Sequence, residues 1–452
     1  MLIGYFTERP YQDPSASWWG RSGRRLTDLE ASNIEYDPVL GSQLYHRYFD
    51  EKLAVEAAGF DAIALNEHHS TPFCMGQVSN VEAAILSRIT ERVKLVLIGN
   101  ILPIWDDPLW LAEELATIDM ISRGRLVTGW VRGTGRESIA HNAPPPYNWE
   151  RFQEAHDLII DAWTRPGPFR WEGEHFDFRY VNPWSKPYQA PHPPIWIPGA
   201  ISQRTVEWAA SHRYPYIMLG TRIDATQQGF AYYDEKAREH GYEAGPQHRG
   251  YLFKVHVEET EELAEEVGKK YLTGPGNIFL EGSQAKAHSH LQDLPGMTDR
   301  TRLLSAAAGV RHVAESRGQV VPPTDPAAEP ARYRSDAAER FQPVDETYDS
   351  LTENFSIISG TPKTVLPKIR HVLESIRPGS IFFWDGDGSM THEDTMRSLR
   401  LMGSEVLPAV REMAAELDLP GPFEIDPATN EPYVAMVPTR DGGSMPLAEL
   451  SV

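Results

Sequence analysis

The chain has 452 residues, 41% of them hydrophobic and 24% charged, with 64 acidic side chains against 43 basic ones and a net charge of −21. That length carries either two or three ordinary domains or one large α/β barrel with insertions. The acidity repels nucleic acid and anionic membrane, and no apolar run nears the roughly 18 to 20 residues of a membrane helix, so neither partner is expected. The opening Met1–Phe6 lacks the basic flank and apolar core of a signal peptide and reads as a strand, which makes a cytoplasmic location the default. The single cysteine, Cys74, excludes an internal disulfide and every multi-cysteine metal pattern, and its plain reading is a buried inert thiol.

Eight short aliphatic or β-branched runs follow in order: Leu2–Phe6, Asp61–Leu65, Lys94–Ile98, Arg125–Gly129, Ile195–Ile197, Tyr216–Leu219, Tyr251–Val257 and Ser380–Trp384. Between them lie helical stretches with apolar residues three and four apart, such as Tyr45, Phe49, Leu53 and Ala57, then Leu111, Leu115 and Ile118. Gly59 and Gly124 stand at C-cap positions, and Thr361-Pro362 supplies an N-cap followed by a first-turn proline. Eight βα units predict an α/β fold, a TIM (β/α)8 barrel with its active site at the C-terminal ends of the strands. Excess length falls after strands 1, 4 and 7. The first insertion, Thr7–Asn33, carries Tyr11, Trp18 and Trp19. The second holds Pro144-Pro145-Pro146, a helix over Arg151–Trp163 and a hairpin over Phe169–Phe176. The third runs from about 272 to 350 and is rich in glycine, proline, alanine and charge. Residues 1–416 read as one domain, and 417–452 as a proline-bearing tail extended over the surface or across a subunit contact.

Strand 2 runs straight into Asn66-Glu67-His68-His69. Side chains alternate along an extended chain, so these titratable groups cannot all face one point, and one histidine faces the barrel mouth while the other packs sideways. A metal site is not expected, because strand 1 ends without histidine and no H-E-x-x-H helix occurs. Strand 4 ends Gly129-Trp130-Val131-Arg132-Gly133-Thr134-Gly135, where amides and a guanidinium can approach a phosphate together. It is not a dinucleotide fingerprint, since Ser138 stands where the third glycine belongs. After strand 5, Gly199-Ala200-Ile201-Ser202 leads into a helix with Thr205 one turn on. Alone, this is an ordinary N-cap. Beside the arginine loop it favours a bound phosphate.

The blocks L-N-E-H-H-S-T-P-F at 65–73, G-N-I-L-P at 99–103, D-P-L-W-L-A-E-E-L-A-T-I-D-M-I-S-R-G-R-L at 107–126, G-W-V-R-G at 129–133, R-F-Q-E-A-H-D-L-I-I-D-A-W-T at 151–164 and P-H-P-P-I-W-I-P-G-A-I-S at 191–202 occur in that order. In them the chain resembles the luciferase-like flavin-dependent oxidoreductases, the family of bacterial luciferase and the alkanesulfonate monooxygenases. The resemblance implies a barrel binding reduced FMN, with the phosphate at Arg132, Ser202 and Thr205, the ring near Gly99 and Asn100, and Gly133 and Gly199 in the cofactor loops. His68 matches the family's catalytic histidine. Glu67, His69, Trp18, Trp19, Phe73 and Trp384 are then candidates for the substrate wall. The same resemblance implies a monooxygenase consuming molecular oxygen on a small organic substrate, fed by a separate NAD(P)H-dependent flavin reductase and assembled as a homodimer or homotetramer. A deazaflavin-dependent hydride-transferring oxidoreductase and a non-catalytic flavin-binding protein are the alternatives.

Overall fold

Each of the eight runs becomes a parallel strand: β1 Leu2–Phe6, β2 Ala62–Leu65, β3 Lys94–Leu97, β4 Leu126–Val131, β5 Ile195–Gly199, β6 Tyr216–Leu219, β7 Arg249–Val257 and β8 Ser380–Trp384. This computed structural model describes residues 1–16, 32–133, 135–200, 202–272 and 347–450. Trp18, Trp19 and most of the expected third insertion therefore lie outside the described residues. The strands pair in sequence order, and β8 pairs back with β1, so the sheet closes into the expected barrel.

Closure follows from the two-residue period of the strands. Leu2, Phe6, Ala62, Ala64, Val96, Val127, Trp196, Ile217, Leu252, Phe382 and Trp384 share one cluster inside the barrel. Their sequence neighbours Ile3, Tyr5, Ile63, Leu95, Leu97, Ile197, Tyr251 and Phe383 belong to the larger cluster under the helices. A Cβ on Gly4 of β1 would sit 2.4 Å from the Phe382 ring, so the glycine leaves the room that this ring fills, and each such buried side chain contributes roughly 1.5–3 kcal/mol. The helix Pro38–Ala58 illustrates how the outer layer is punctuated: Asp37 accepts from the Val39 amide, Pro38 opens the first turn, and Gly59 ends it at φ 98°. At the second expected cap, Arg123 takes the left-handed position at φ 54° and Gly124 follows it.

Three features were not foreseen. A strand Ile357–Gly360 returns from the third insertion and pairs with Lys254–Val257 of β7, continuing the barrel wall above the end of β6. The hairpin of the second insertion reaches further than expected, pairing Phe169–Glu172 with Asp177–Val181. The tail crosses the N-terminal end of the barrel: Phe423 packs on the interior cluster beneath the Lys94 ammonium, 4.4 Å away, and Pro427 accepts from His248 at 2.9 Å. The end opposite the predicted site is thereby plugged.

Candidate active site

The end of β2 distributes its polar residues to different partners, as alternation requires. Glu67 is a buried clamp. Its carboxylate accepts from the Ile101 amide at 3.0 Å, the Ser79 hydroxyl at 3.1 Å and the Asn100 amide nitrogen at 3.3 Å, fixing the segment after β3 against the end of β2. His69 lies 3.8 Å from the same carboxylate and meets His141 edge-on at 4.2 Å between ring centres. Burial, then the neighbouring His69, pushes His141 below the usual imidazole range.

His68 turns the other way. Its Nδ1 lies 2.7 Å from Glu137 and its Nε2 3.8 Å from Glu8, while its side chain keeps 21% exposure. Burial raises the Glu8 carboxyl above the ordinary range, against the opposing pull of His68, and Asn66 donates to it. Behind Glu8, Arg9 is buried at φ 58° and donates to the carbonyls of Thr7 at 2.9 Å and Asn66 at 2.6 Å and to Glu82 at 3.2 Å. Lys52 faces the same Glu82 carboxylate at 3.6 Å, and burial brings its ammonium down to about 8. Cys74 is buried beside this cluster, and burial pushes its thiol up to about 12.

The arginine loop and the helix after β5 meet as predicted. Arg132 donates to the Ser202 hydroxyl at 3.2 Å, and Thr205 donates to the same oxygen at 3.2 Å. Ser202 occupies the N-cap of the helix Gln203–Ser211, but its side chain caps no amide, because it serves Arg132 and Thr205 instead. The expectation of an ordinary serine cap is corrected in that respect. Arg132 and Arg204 both lie over the Trp149 ring, at 5.4 and 4.5 Å. Burial, and then the phenol of Tyr216 and the charge of Arg204 pulling in opposite directions, leave the Arg132 guanidinium below its usual range. Guanidinium, two hydroxyls and a helix N-terminus form a donor set suited to a phosphate dianion.

Close backbone approach shapes the wall between these two groups. A Cβ on Gly99 would sit 2.4 Å from the Gly129 carbonyl oxygen, so only glycine lets the chain after β3 lie against β4. Asn100 is buried, its amide nitrogen committed to Asn80 and Glu67 and its Oδ1 without a hydrogen-bond partner among the described residues. Gly133 takes φ 73°, and Gly199 packs under the Tyr216 hydroxyl.

Those of the expected aromatics that lie among the described residues are buried in hydrophobic clusters. Phe73 is 1% exposed, in a cluster with Tyr11, Tyr48 and Met75, and touches the catalytic candidate only as a backing ring 5.3 Å from His68. Tyr11 stacks on Tyr36 and accepts from the Asp37 amide, facing a helix and not the mouth. Trp384 lies in the barrel interior against Phe6 at 5.4 Å, under the Lys254 ammonium at 4.6 Å.

Sequence reasoning missed the carboxylates around His68, the Lys254–Asp387 pair at 3.3 Å and a buried network at the ends of β7 and β8. There His256 binds Asp385 at 2.8 Å and Glu258 at 3.1 Å, Arg397 takes Glu258 at 2.6 Å, and Ser398 donates to Asp385 at 2.6 Å. The position of Glu8, two residues past strand 1, was the one available signal. Among the described residues, no group of three or more histidine, cysteine or carboxylate side chains is arranged to hold a metal, and no helix is long and apolar enough to cross a membrane.

The family model of luciferase-like monooxygenases matches residues 42–377. The chain belongs to that family. Among curated relatives, it is 30% identical over 164 residues to the oxygenase component of the flavin-dependent trigonelline monooxygenase of Acinetobacter baylyi, covering 36% of this chain and 45% of that protein. It is 26% identical over 278 residues to the alkanal monooxygenase alpha chain of Photobacterium leiognathi, covering 58% and 77%. The chain thus spans about half the length of several of the relatives it matches. In fold it is similar to the oxygenating constituent of 3,6-diketocamphane monooxygenase from Pseudomonas putida in complex with FMN, with a TM-score of 0.61 at 18% identity over 90% of this chain and 98% of that one. It is also similar to an F420-dependent secondary alcohol dehydrogenase, with a TM-score of 0.57 at 14% identity over 91% and 99%. Flavin-dependent monooxygenases and F420-dependent oxidoreductases therefore share this barrel.

Proposed function

We propose that this protein is the oxygenase component of a two-component monooxygenase, taking reduced FMN from a separate NAD(P)H-dependent flavin reductase and using molecular oxygen on a small organic substrate. The observation that carries this reading is the arrangement at the strand ends. A partly exposed histidine bracketed by Glu8 and Glu137 shares the barrel's C-terminal face with an anion cradle of Arg132, Ser202 and Thr205. When bound, the reduced flavin would supply the electrons that activate oxygen. Arg132, Ser202 and Thr205 would hold its phosphate, with Gly133 and Gly199 in the loops around it. Gly99 and Asn100 would border its ring. His68 would move a proton at the reacting atoms, and imidazole suits that task near neutrality. Glu67 and His69 would stiffen the strand end.

Anaerobic titration with reduced FMN and with a deazaflavin tests the cofactor. Tight deazaflavin binding without FMN binding would turn the reading to hydride transfer. Rapid mixing of the reduced-FMN complex with oxygen, repeated across candidate compounds, then identifies substrates as those that hasten the return of oxidised flavin.

A homo-oligomer completes the proposal. Val78, Val81, Ile85 and Ile89 are each at least 41% exposed and lie three and four residues apart, which sets them on one face of the helix Ser79–Ile89 and its entry. An apolar stripe of that kind supports a covered surface, checked by light scattering of the wild type and of Val81→Asp.

A further inference from the structure

His68 makes contacts of two different lengths. The 2.7 Å separation of Nδ1 from Glu137 is that of a charge-assisted hydrogen bond, whereas 3.8 Å from Nε2 to Glu8 is beyond hydrogen-bonding reach. An ionised carboxylate only accepts, so the proton of the short contact resides on Nδ1. In the neutral ring, Nε2 then carries the lone pair.

Glu137 is placed to impose this. It is 1% exposed, its own carbonyl accepts from the His141 amide at 3.1 Å, and the next residue, Ser138, is tied in turn, its carbonyl accepting from the Ala143 amide and its hydroxyl from the Asn148 side chain, both at 2.7 Å. The preceding turn is equally constrained, since a Cβ on Gly133 would meet Ile101 at 2.5 Å. Arg132 of the anion cradle and Glu137 thus stand five residues apart in the chain after β4.

Resting on the reading of His68 as the acid/base, we infer that Glu137 is its positioning residue. Glu137 fixes the Nδ1–H tautomer and aims Nε2 as the nitrogen that takes a proton from the reacting molecule and returns it. While the proton is held, the imidazolium is balanced by Glu137 on one side and Glu8 on the other. When it leaves, the neutral ring is restored and no other co-reactant is consumed.

The test is 15N NMR of the full-length protein labelled at histidine, at alkaline pH where imidazole is neutral, with the His68 signals identified by their loss in His68→Gln. In the wild type, Nδ1 is expected at the protonated position and Nε2 at the unprotonated one. Glu137→Ala should reverse the two, because neutral imidazole otherwise favours the proton on Nε2, and Glu137→Gln, which retains one acceptor oxygen, should restore part of the wild-type pattern. A proton on Nε2 in the wild type, or an unchanged pattern in a folded Glu137→Ala, overturns the inference. If the NMR result stands while His68→Gln keeps full turnover, the acid/base reading of His68 fails and the role of Glu137 in setting the tautomer survives.

Discussion

Two histidines of this barrel sit between paired carboxylates at the ends of strands, and what separates them is how much of each ring is left over. His256 is 0% exposed, with both nitrogens held, by Asp385 at 2.8 Å and Glu258 at 3.1 Å. Burial opposes its charge, but Asp385 and Glu258 outweigh that and bring it up to about 9. Glu258 falls to about 2, because the hydrogen bonds from His256 and Arg397 outweigh its own burial. Such a histidine is a fixed cation in an ionic lattice. His68 holds Glu137 at 2.7 Å and lies 3.8 Å from Glu8, and its side chain keeps 21% exposure. The same residue types make a fully buried tie in one place and a partly exposed ring in the other, the one proposed above to carry a proton.

The comparison breaks most sharply at His68. His68→Gln should lower turnover about 10²- to 10⁴-fold, measured on the substrates found by oxygen mixing, with the melting temperature little changed. Turnover within a factor of two of wild type would place His68 with His256 as a structural residue. Arg397→Ala should act in the opposite sense, costing roughly 3 kcal/mol in urea unfolding because Glu258 is left buried with one of its two cationic partners removed. An unchanged unfolding midpoint would show that the lattice is dispensable.

The pH dependence sharpens the same contrast at smaller amplitude. The folded state holds His256 above its ordinary 6.5, so this stabilisation is complete below that pH and disappears as pH rises through about 9. Glu258 is held below its ordinary 4.5, so its share is present above that value and is lost as pH falls toward about 2. Thermal melts across the alkaline range should therefore decline in the wild type more steeply than in His256→Asn, and parallel curves would remove His256 from the account. The smallest effect is expected at Cys74. Its thiol, pushed up to about 12 by burial, should resist iodoacetamide at neutral pH in the folded protein and react once urea is added, as mass spectrometry would read.

The candidate site was legible where polar side chains lie next to the strand that carries them. His68 follows β2 directly, and Arg132 and Ser202 follow β4 and β5, so position along a barrel strand was enough to bring them to one face. The aromatics were less legible: Tyr11 and Phe73 follow strand ends too, yet they pack against the helix Pro38–Ala58, because an irregular loop has no periodicity to give its side chains a direction.

The sequence by itself determined the barrel and its eight strands, since short aliphatic runs alternating with stretches of helical period are local patterns that need no partner to be read. Only the tertiary structure decided which carboxylate meets which histidine. Glu137 lies 69 residues from His68 on a six-residue helix without an apolar stripe, and Asp385 reaches His256 across 129 residues. The tail's Phe423 likewise finds the barrel's closed end only in space. Those pairings come from barrel closure, which brings distant strand ends to one rim whatever their separation along the chain.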